Sequence, residues 1–123
     1  MLEAYSINAA VTAGGAVPFN SVSIEKGCTA KLTSPSTIEL NKCGVYMVAV
    51  DAVAAASTTL QLTKDGSLVP QAQSTGEALS FVTLVQVPTN NSCCACSSPV
   101  TLSVNNTVAT TLTNCNIVVT KVV

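Results

Sequence analysis

One segment of the chain is apolar on both sides of a predicted β-strand, and this limits the possible folds more than any other feature. Residues 45–53 read V-Y-M-V-A-V-D-A-V. Because side chains alternate across a strand, one face carries Tyr46, Val48, Val50 and Ala52, and the other carries Val45, Met47, Ala49, Asp51 and Val53. Such a strand needs two partners. One is the core of its own domain, and the other is a second layer, such as another copy of the chain.

Two further segments share this property, whereas others alternate between apolar and polar residues. Residues 78–87 and 117–123 are apolar on both faces. Residues 58–64 and 100–104 instead alternate Leu and Val with Thr, Ser and Gln, which is typical of a strand with one solvated face. The two classes of strand predict a sandwich of two antiparallel sheets, one of them covered on both faces.

The rest of the chain is also typical of an all-β protein, since Val, Thr and Ile recur and no long stretch has helical apolar spacing. Asp65-Gly66 predicts a two-residue hairpin turn, and Gly14-Gly15 predicts another turn. Ala52–Ala56 is open to three interpretations: one helical turn, a loop or a continued strand. The predicted strands are 5–11, 17–19, 22–24, 29–33, 37–40, 45–53, 58–64, 67–73, 78–87, 100–104, 108–112 and 117–123.

Length and composition predict a single domain over residues 1–123 that associates with itself. The chain is 48% hydrophobic but only 9% charged, against about 25% charged in a typical soluble domain. Charge therefore protects little of the surface, and self-association is the simplest way to cover the apolar remainder.

Several classes of partner are excluded by what the sequence lacks. There is no Arg and no basic patch, so no nucleic-acid partner is expected. The longest apolar run is too short to span a bilayer, so no membrane partner is expected. Residues 1–5 do not resemble the start of a signal peptide, which predicts a protein made in the bacterial cytoplasm.

Catalytic chemistry is not predicted, and neither is a cofactor. The chain has no His, and no two of its six acidic residues lie within four positions of each other. Asp51 stands out because it lies among apolar residues. Three copies near a symmetry axis could share a cation, water or a proton there. The favoured alternative is that Asp51 meets solvent at the end of its strand.

The six cysteines allow several interpretations. Cys93-Cys94-Ala95-Cys96 contains a C-x-x-C pair, but no helix start follows it as a redox motif requires. Together with Cys115 these residues could supply four thiolates to zinc, although a second C-x-x-C is missing. Disulfides are possible outside the cell. Cys28, Cys43 and Cys115 are most simply buried free thiols.

Four short motifs occur in an order that resembles a known family. They are Val17-Pro18-Phe19, Gly44-Val45-Tyr46, the hairpin 62–66 and the closing segment 117–122. This pattern resembles the tumour-necrosis-factor-like and complement-globular-head-like jelly rolls. Its nearest counterparts are the heads of collagen-like spore-coat (exosporium) glycoproteins and small phage head-fibre, decoration or fibre-tip domains. The scarcity of aromatic residues, the cysteines and the lack of a Gly-x-y stalk depart from the pattern.

The resemblance implies a homotrimer whose inner sheet packs around a three-fold axis. The strands facing the axis would be 5–11, 45–53, 78–87 and 117–123. The residues expected in the trimer interface and core are Tyr46, Val48, Val50, Phe81, Leu84, Val118 and Val119.

The function expected from this resemblance is structural rather than enzymatic. The chain would be a decoration or fibre-head protein on the surface of a phage virion. The alternative is a spore-surface head or a tip domain that binds a receptor or a carbohydrate. The loops offer mainly Ser, Thr, Asn and Cys, which favours the structural interpretation.

Overall fold

The structure is a computed structural model, and it describes residues 1–27, 29–88 and 99–123. These residues form eight antiparallel β-strands and no helix, which confirms the predicted all-β class. The strands are β1 (Leu2–Val11), β2 (Ser21–Glu25), β3 (Ala30–Ser34), β4 (Thr37–Leu40), β5 (Gly44–Lys64), β6 (Ser67–Val87), β7 (Val100–Asn106) and β8 (Thr110–Lys121).

A long hairpin of β5 and β6 organises the molecule. Each strand has 21 residues, and they pair from Gly44 opposite Val87 to Lys64 opposite Ser67. The turn is the predicted Asp65-Gly66, and both residues have positive φ, 50° and 84°. Two consecutive positive φ angles are what a type I′ turn requires, and the twist of that turn matches the twist of paired strands.

Halfway along its length the hairpin passes from one sheet to another. Residues 46–54 of β5 pair with β8, whereas residues 60–64 pair with β7. The register between β5 and β6 shifts between Val53 and Thr58, where four residues of β5 have no paired Cα on β6. Gly76, with φ 136°, lies opposite Thr58 at this change.

The strand pairing defines the two sheets of a jelly roll. The inner sheet has the order β2–β1–β8–β5–β6, using residues 44–54 of β5 and 78–87 of β6. The outer sheet has the order β3–β4–β7–β5–β6, using residues 58–64 of β5 and 67–76 of β6. Because β5 is the single partner of β6 among the described strands, β6 is the outermost of them on one side of both sheets.

The core lies between the two sheets and is mostly aliphatic. Its largest fully buried side chains include Tyr46, Phe19, Leu60, Leu62 and Leu102. The hydroxyl of Tyr46 donates a hydrogen bond to the carbonyl oxygen of Lys42 at 2.7 Å, which satisfies the polar end of this buried ring. The alternation predicted for 58–64 and 100–104 is confirmed, since their Leu and Val residues face this core.

Three predicted breaks between strands are wrong for one reason, which is that the strands continue through residues of low β-propensity. Predicted strands 45–53 and 58–64 are parts of one strand, β5, and predicted strands 67–73 and 78–87 are parts of one strand, β6. Ala52–Ala56 continues β5, because Ala54 pairs with Leu112 of β8. Residues 110–121 likewise form one strand, β8. Tertiary pairing here overrides the low β-propensity of Ala.

The segment 17–19 differs from its prediction in the opposite way. Val17 and Phe19 are buried in the core but do not form a strand. Their backbone amides donate to the carbonyl oxygens of Val104 at 2.7 Å and Pro35 at 2.6 Å. The Pro between them has no amide to donate, so it interrupts any regular ladder.

Gly44 gives a test of how the chain ends are fixed. It has φ 143°, and a Cβ placed there would overlap the backbone carbonyl oxygen of Val123. We expect Gly44→Ala to lower the free energy of unfolding by about 1–3 kcal/mol through strain and displacement of the C-terminal residue.

Gly66→Ala is the matched control, because Gly66 also has a positive φ but has open space around its Cβ position. This substitution should lower the free energy of unfolding only by the cost of holding Ala at a positive φ, about 1 kcal/mol. Urea denaturation of both variants measures the difference. Equal losses would contradict a steric role for Val123.

Candidate functional site: the outward face of the inner sheet

The candidate site is the side of the inner sheet that points away from the core, here called the outward face. Along residues 44–54 of β5, Tyr46, Val48 and Val50 are at most 1% exposed, whereas the residues between them face outward. The outward face consists of Glu3, Tyr5 and Ile7 of β1, Val45, Met47, Ala49, Asp51 and Val53 of β5, Ser80, Val82 and Leu84 of β6, and Asn114, Asn116, Val118 and Thr120 of β8.

The strand register places these side chains in rows across the face. Met47 lies between Leu84 and Thr120, and the next row holds Ala49 between Val82 and Val118. Several of these apolar side chains are well exposed in the single chain: Ile7 64%, Val82 62%, Leu84 60% and Val53 44%. Scattered exposed apolar residues are ordinary, but a contiguous apolar patch marks an interaction surface.

The opposite side of the molecule is different in character. The outer sheet presents mainly Thr, Gln, Asn and Ser to solvent, and these form hydrogen bonds with one another. Thr59 and Thr75 hydroxyls lie 2.7 Å apart, and the Gln61 amide donates to Gln73 at 3.4 Å. In the described part of the chain, the contiguous uncovered apolar surface therefore lies on the inner sheet. From sequence alone, one of the two apolar faces of residues 45–53 had no packing partner within the domain. That face belongs to this surface.

The residues predicted for the trimer interface and core divide into two groups. Tyr46, Val48, Val50, Phe81 and Val119 are buried inside the single chain. Leu84 and Val118 lie on the outward face. The sequence left open which face of each inner strand would meet a second copy, and the structure assigns the first group to the core.

Asp51 lies on the outward face, with Ser80 on one side and Asn116 on the other. The favoured expectation was that it meets solvent at the end of its strand. It does meet solvent in the single chain, but the strand end is wrong, because β5 continues to Lys64. Asp51 is therefore a charged residue within a paired region of sheet.

Residues of β1 complete the face; strand 5–11 was predicted to face the axis, but none of its residues was named in the predicted interface. Asn8 has φ 53°, in the left-handed region, and the burial alternation changes phase there: Ser6 is buried, and the next buried residue is Ala9. Ile7 and Asn8 are consequently both exposed. The only signal in the sequence was the Asn itself, since Asn tolerates this conformation better than most residues.

Cys115 of β8 is fully buried between Ser6 of β1 and Ala52 of β5. Burial, with a smaller contribution from the negative charge of Asp51, raises the pKa of the Cys115 thiol from 9.0 to about 12. Cys43 and Cys115 are both free. A thiol with this pKa is protonated under ordinary conditions and is a poor nucleophile or metal ligand.

The other cysteines of the predicted zinc set, Cys93, Cys94 and Cys96, lie outside the described residues, as does Cys28. Within the described residues no group of three or more His, Cys, Asp or Glu side chains could hold a metal ion. The zinc set stays a prediction from sequence.

The clefts among the described residues include two of moderate size. One of about 240 Å³ is lined by Glu25, Gly27, Ala30, Lys31 and Asn41. The other, of about 320 Å³, is lined by Ala10, Val11, Thr12, Ala109, Thr110 and Thr111 and has no charged lining residue. No helix in the described part of the chain is long and apolar enough to cross a membrane.

Comparison with known proteins identifies the fold. No protein-family model and no curated sequence matches the chain. Among solved structures, the globular domain of zebrafish complement 1qA protein is similar, with a TM-score of 0.73, 9% identity, and coverage of 99% of this chain and 96% of that one. Murine APRIL is similar with a TM-score of 0.68 and 8% identity, and the match covers 98% of both chains. Rabbit GITRL is similar with a TM-score of 0.65 and 10% identity, and the match covers 100% of this chain and 95% of the GITRL chain.

These similarities confirm the predicted tumour-necrosis-factor-like and complement-globular-head-like jelly roll. At such identities they show the fold alone. The narrower resemblance to spore-coat heads and phage fibre domains stays a prediction.

The burial of Cys115 gives a prediction about reactivity. In the folded protein at about pH 8, we expect iodoacetamide to leave Cys115 unmodified, because the reactive thiolate is disfavoured and the sulfur is inaccessible. Half-buried Cys43 should react faster and serves as an internal comparison. Peptide mass spectrometry before and after unfolding in urea locates the label. Labelling of both cysteines at similar rates would contradict the buried position.

The same raised pKa predicts how stability depends on pH. Because the folded value of about 12 lies above 9.0, the contribution of this thiol is fully present below pH 9.0 and decreases as pH rises toward 12. Replacement by Ala should make the loss of stability above pH 9.0 less steep in urea denaturation.

Proposed function

We propose that this protein is a non-enzymatic structural head, a homotrimer joined through the outward face and displayed on a larger particle, specifically a phage virion. The observation that carries the proposal is the difference between the two exposed sheet faces. One is polar and internally hydrogen-bonded, and the other is apolar and uncovered. A second copy of the chain is the simplest cover, since the trimeric families that the fold resembles pack through this sheet.

The size of the chain is compatible with such an interface. Obligate interfaces bury about 2,000 Å² or more in total, or about 1,000 Å² on each partner. Each chain of a trimer takes part in two interfaces and would lose about 2,000 Å². That is about one third of the 5969 Å² exposed by the single chain. The outward face spans four of the five strands of the inner sheet and supplies the apolar centre of such a contact.

Attachment to the particle is expected at the end of the sandwich that carries both chain termini. The N-terminal amino group donates to the carbonyl oxygen of Lys26 at 2.7 Å, and Val123 is hydrogen-bonded to Val45. Both termini are therefore tied to one end of the inner sheet, where they leave the outward face free for self-association.

A second candidate is a tip domain that binds carbohydrate, either on a spore surface or at the end of a fibre. The observation that favours it is the outer sheet's exposed face, where uncharged Thr, Gln and Asn groups could exchange hydrogen bonds with sugar hydroxyls. The face has no exposed aromatic ring to stack on a sugar among its described residues, so the structural function is preferred.

The trimer is tested by two substitutions at neighbouring positions of β6. Leu84 is 60% exposed on the outward face, whereas Val85 is 2% exposed in the core. The parent chain should sediment as three times 12.5 kDa at micromolar concentration. Leu84→Lys should give a folded monomer, because the charge would be buried only on assembly. Val85→Lys should unfold the chain, since it buries a charge in every state.

Gln73→Lys, on the polar face of the outer sheet, is the control and should remain a trimer. A parent chain that is monomeric, or an intact Leu84→Lys trimer, would refute the proposed interface.

The particle is tested by isolation from the source organism. Purified virions, spores and cytoplasm should be compared by quantitative mass spectrometry. The protein is expected on virions in multiples of three copies, and its release should require disruption of the particle. Recovery on spores, together with binding to a glycan array that is lost on changing Gln61 and Gln73 to Ala, would favour the second candidate. Recovery only as a free cytoplasmic protein would refute both.

A further inference from the structure

Asp51 is the feature of the outward face that the proposed assembly does not explain. Its carboxylate has apolar neighbours along β5, Ala49 and Val53, and uncharged neighbours across the sheet, Ser80 and Asn116. Among the described residues the carboxylate makes no hydrogen bond and no ion pair. In the single chain water solvates it, because the residue is exposed. Covering the face would remove that water.

Among the described residues, no cation of the inner sheet lies beside this charge, because its one lysine, Lys121, pairs with Tyr46 five positions away along β5. The outward-facing residues of β6 and β8 beside Asp51 carry no charge. From β1, the titratable groups on this face are Tyr5, which pairs with Asn116, and Glu3, which pairs with Val118 and accepts a hydrogen bond from Ser23 at 2.7 Å. From the core side, the nearest titratable group is Cys115, which is protonated. The charged groups on this part of the face are therefore all acidic.

The field of Asp51 already reaches into the protein. Its negative charge is the smaller of two causes that raise the pKa of the buried Cys115 thiol on the neighbouring strand, the larger being burial. Removing the remaining water would strengthen this unfavourable field, since an ionised carboxylate without a partner is costly in an apolar environment.

We propose that self-association through the outward face takes up protons at Asp51, so that the assembly is stronger in mildly acidic solution and weaker in alkaline solution. This inference rests on the proposed trimer and adds that pH regulates its assembly. A neutral carboxyl group is much cheaper to cover than a carboxylate, so the assembled state binds protons more tightly than the free chain. By linkage, lowering the pH favours the state that binds more protons. Up to one proton at Asp51 could be taken up for each chain.

Sedimentation equilibrium of the full chain tests this at about pH 6 and about pH 8, both above the pI of 5.1 and both with EDTA to remove divalent cations. The parent trimer should dissociate at a concentration at least about tenfold higher at the alkaline pH. Asp51→Asn keeps the shape of the side chain but cannot be ionised. It should assemble in alkaline solution as strongly as the parent does in acid, with no dependence on pH.

Glu39→Gln is the matched control, because Glu39 lies on the outer sheet opposite Thr101 and far from the outward face. It should show the same pH dependence as the parent. A second measurement does not rely on any variant: concentrating the parent chain in weakly buffered solution should raise the pH as protons are taken up.

The outcomes separate this inference from the trimer itself. A parent trimer that is equally stable at both pH values, or an Asp51→Asn trimer that keeps the parent's pH dependence, would overturn the role of Asp51 and leave the trimer standing. An additional parent sample without EDTA completes the comparison: if only that sample were trimeric, the neutralisation would be assigned to a cation and the role of proton uptake would be overturned. A parent chain that is monomeric under every condition would overturn both proposals.

Discussion

The pairing of β5 with β6 is the constraint on which the rest of the structure depends. These two strands are joined by a tight turn at Asp65-Gly66, and together they cross from the inner to the outer sheet. Because β5 also pairs with β8 in one half and β7 in the other, the position of the crossing determines which residues enter each sheet. A shift of one residue in this register would reverse the faces of β5 and expose Tyr46, Val48 and Val50.

Much of this arrangement could be predicted from residue pattern. The alternation of Leu60 and Leu62 with polar residues assigned one class of strand, and the two apolar faces of 45–53 assigned the other. The Asp-Gly turn was also predictable, because positive φ at two successive positions has a strong sequence preference. These features are local, and each requires only the neighbouring residues along the chain.

The structural features that could not be predicted from the sequence depend on contacts between distant segments of the chain. Ala54 belongs to a strand because Leu112 pairs with it, and Val17 is buried because its amide bonds to Val104. Nothing near either residue carries that information. The same limit applied to the candidate site: the pattern showed that 45–53 has two apolar faces, but only the three-dimensional packing assigns Val48 to the core and leaves Met47 outside it.

The position of β6 at the margin of both sheets has a consequence for handling the protein. Its first half is protected against pairing with other chains, since Pro70 lacks an amide and Gly76 ends the stretch. Residues 78–87, A-L-S-F-V-T-L-V-Q-V, contain no Pro, no Gly and no charge. Among the described strands this edge has no second partner, and an unpaired edge rich in β-forming residues is a template for fibrillar stacking. Slow aggregation of the purified chain in storage would therefore begin at this strand.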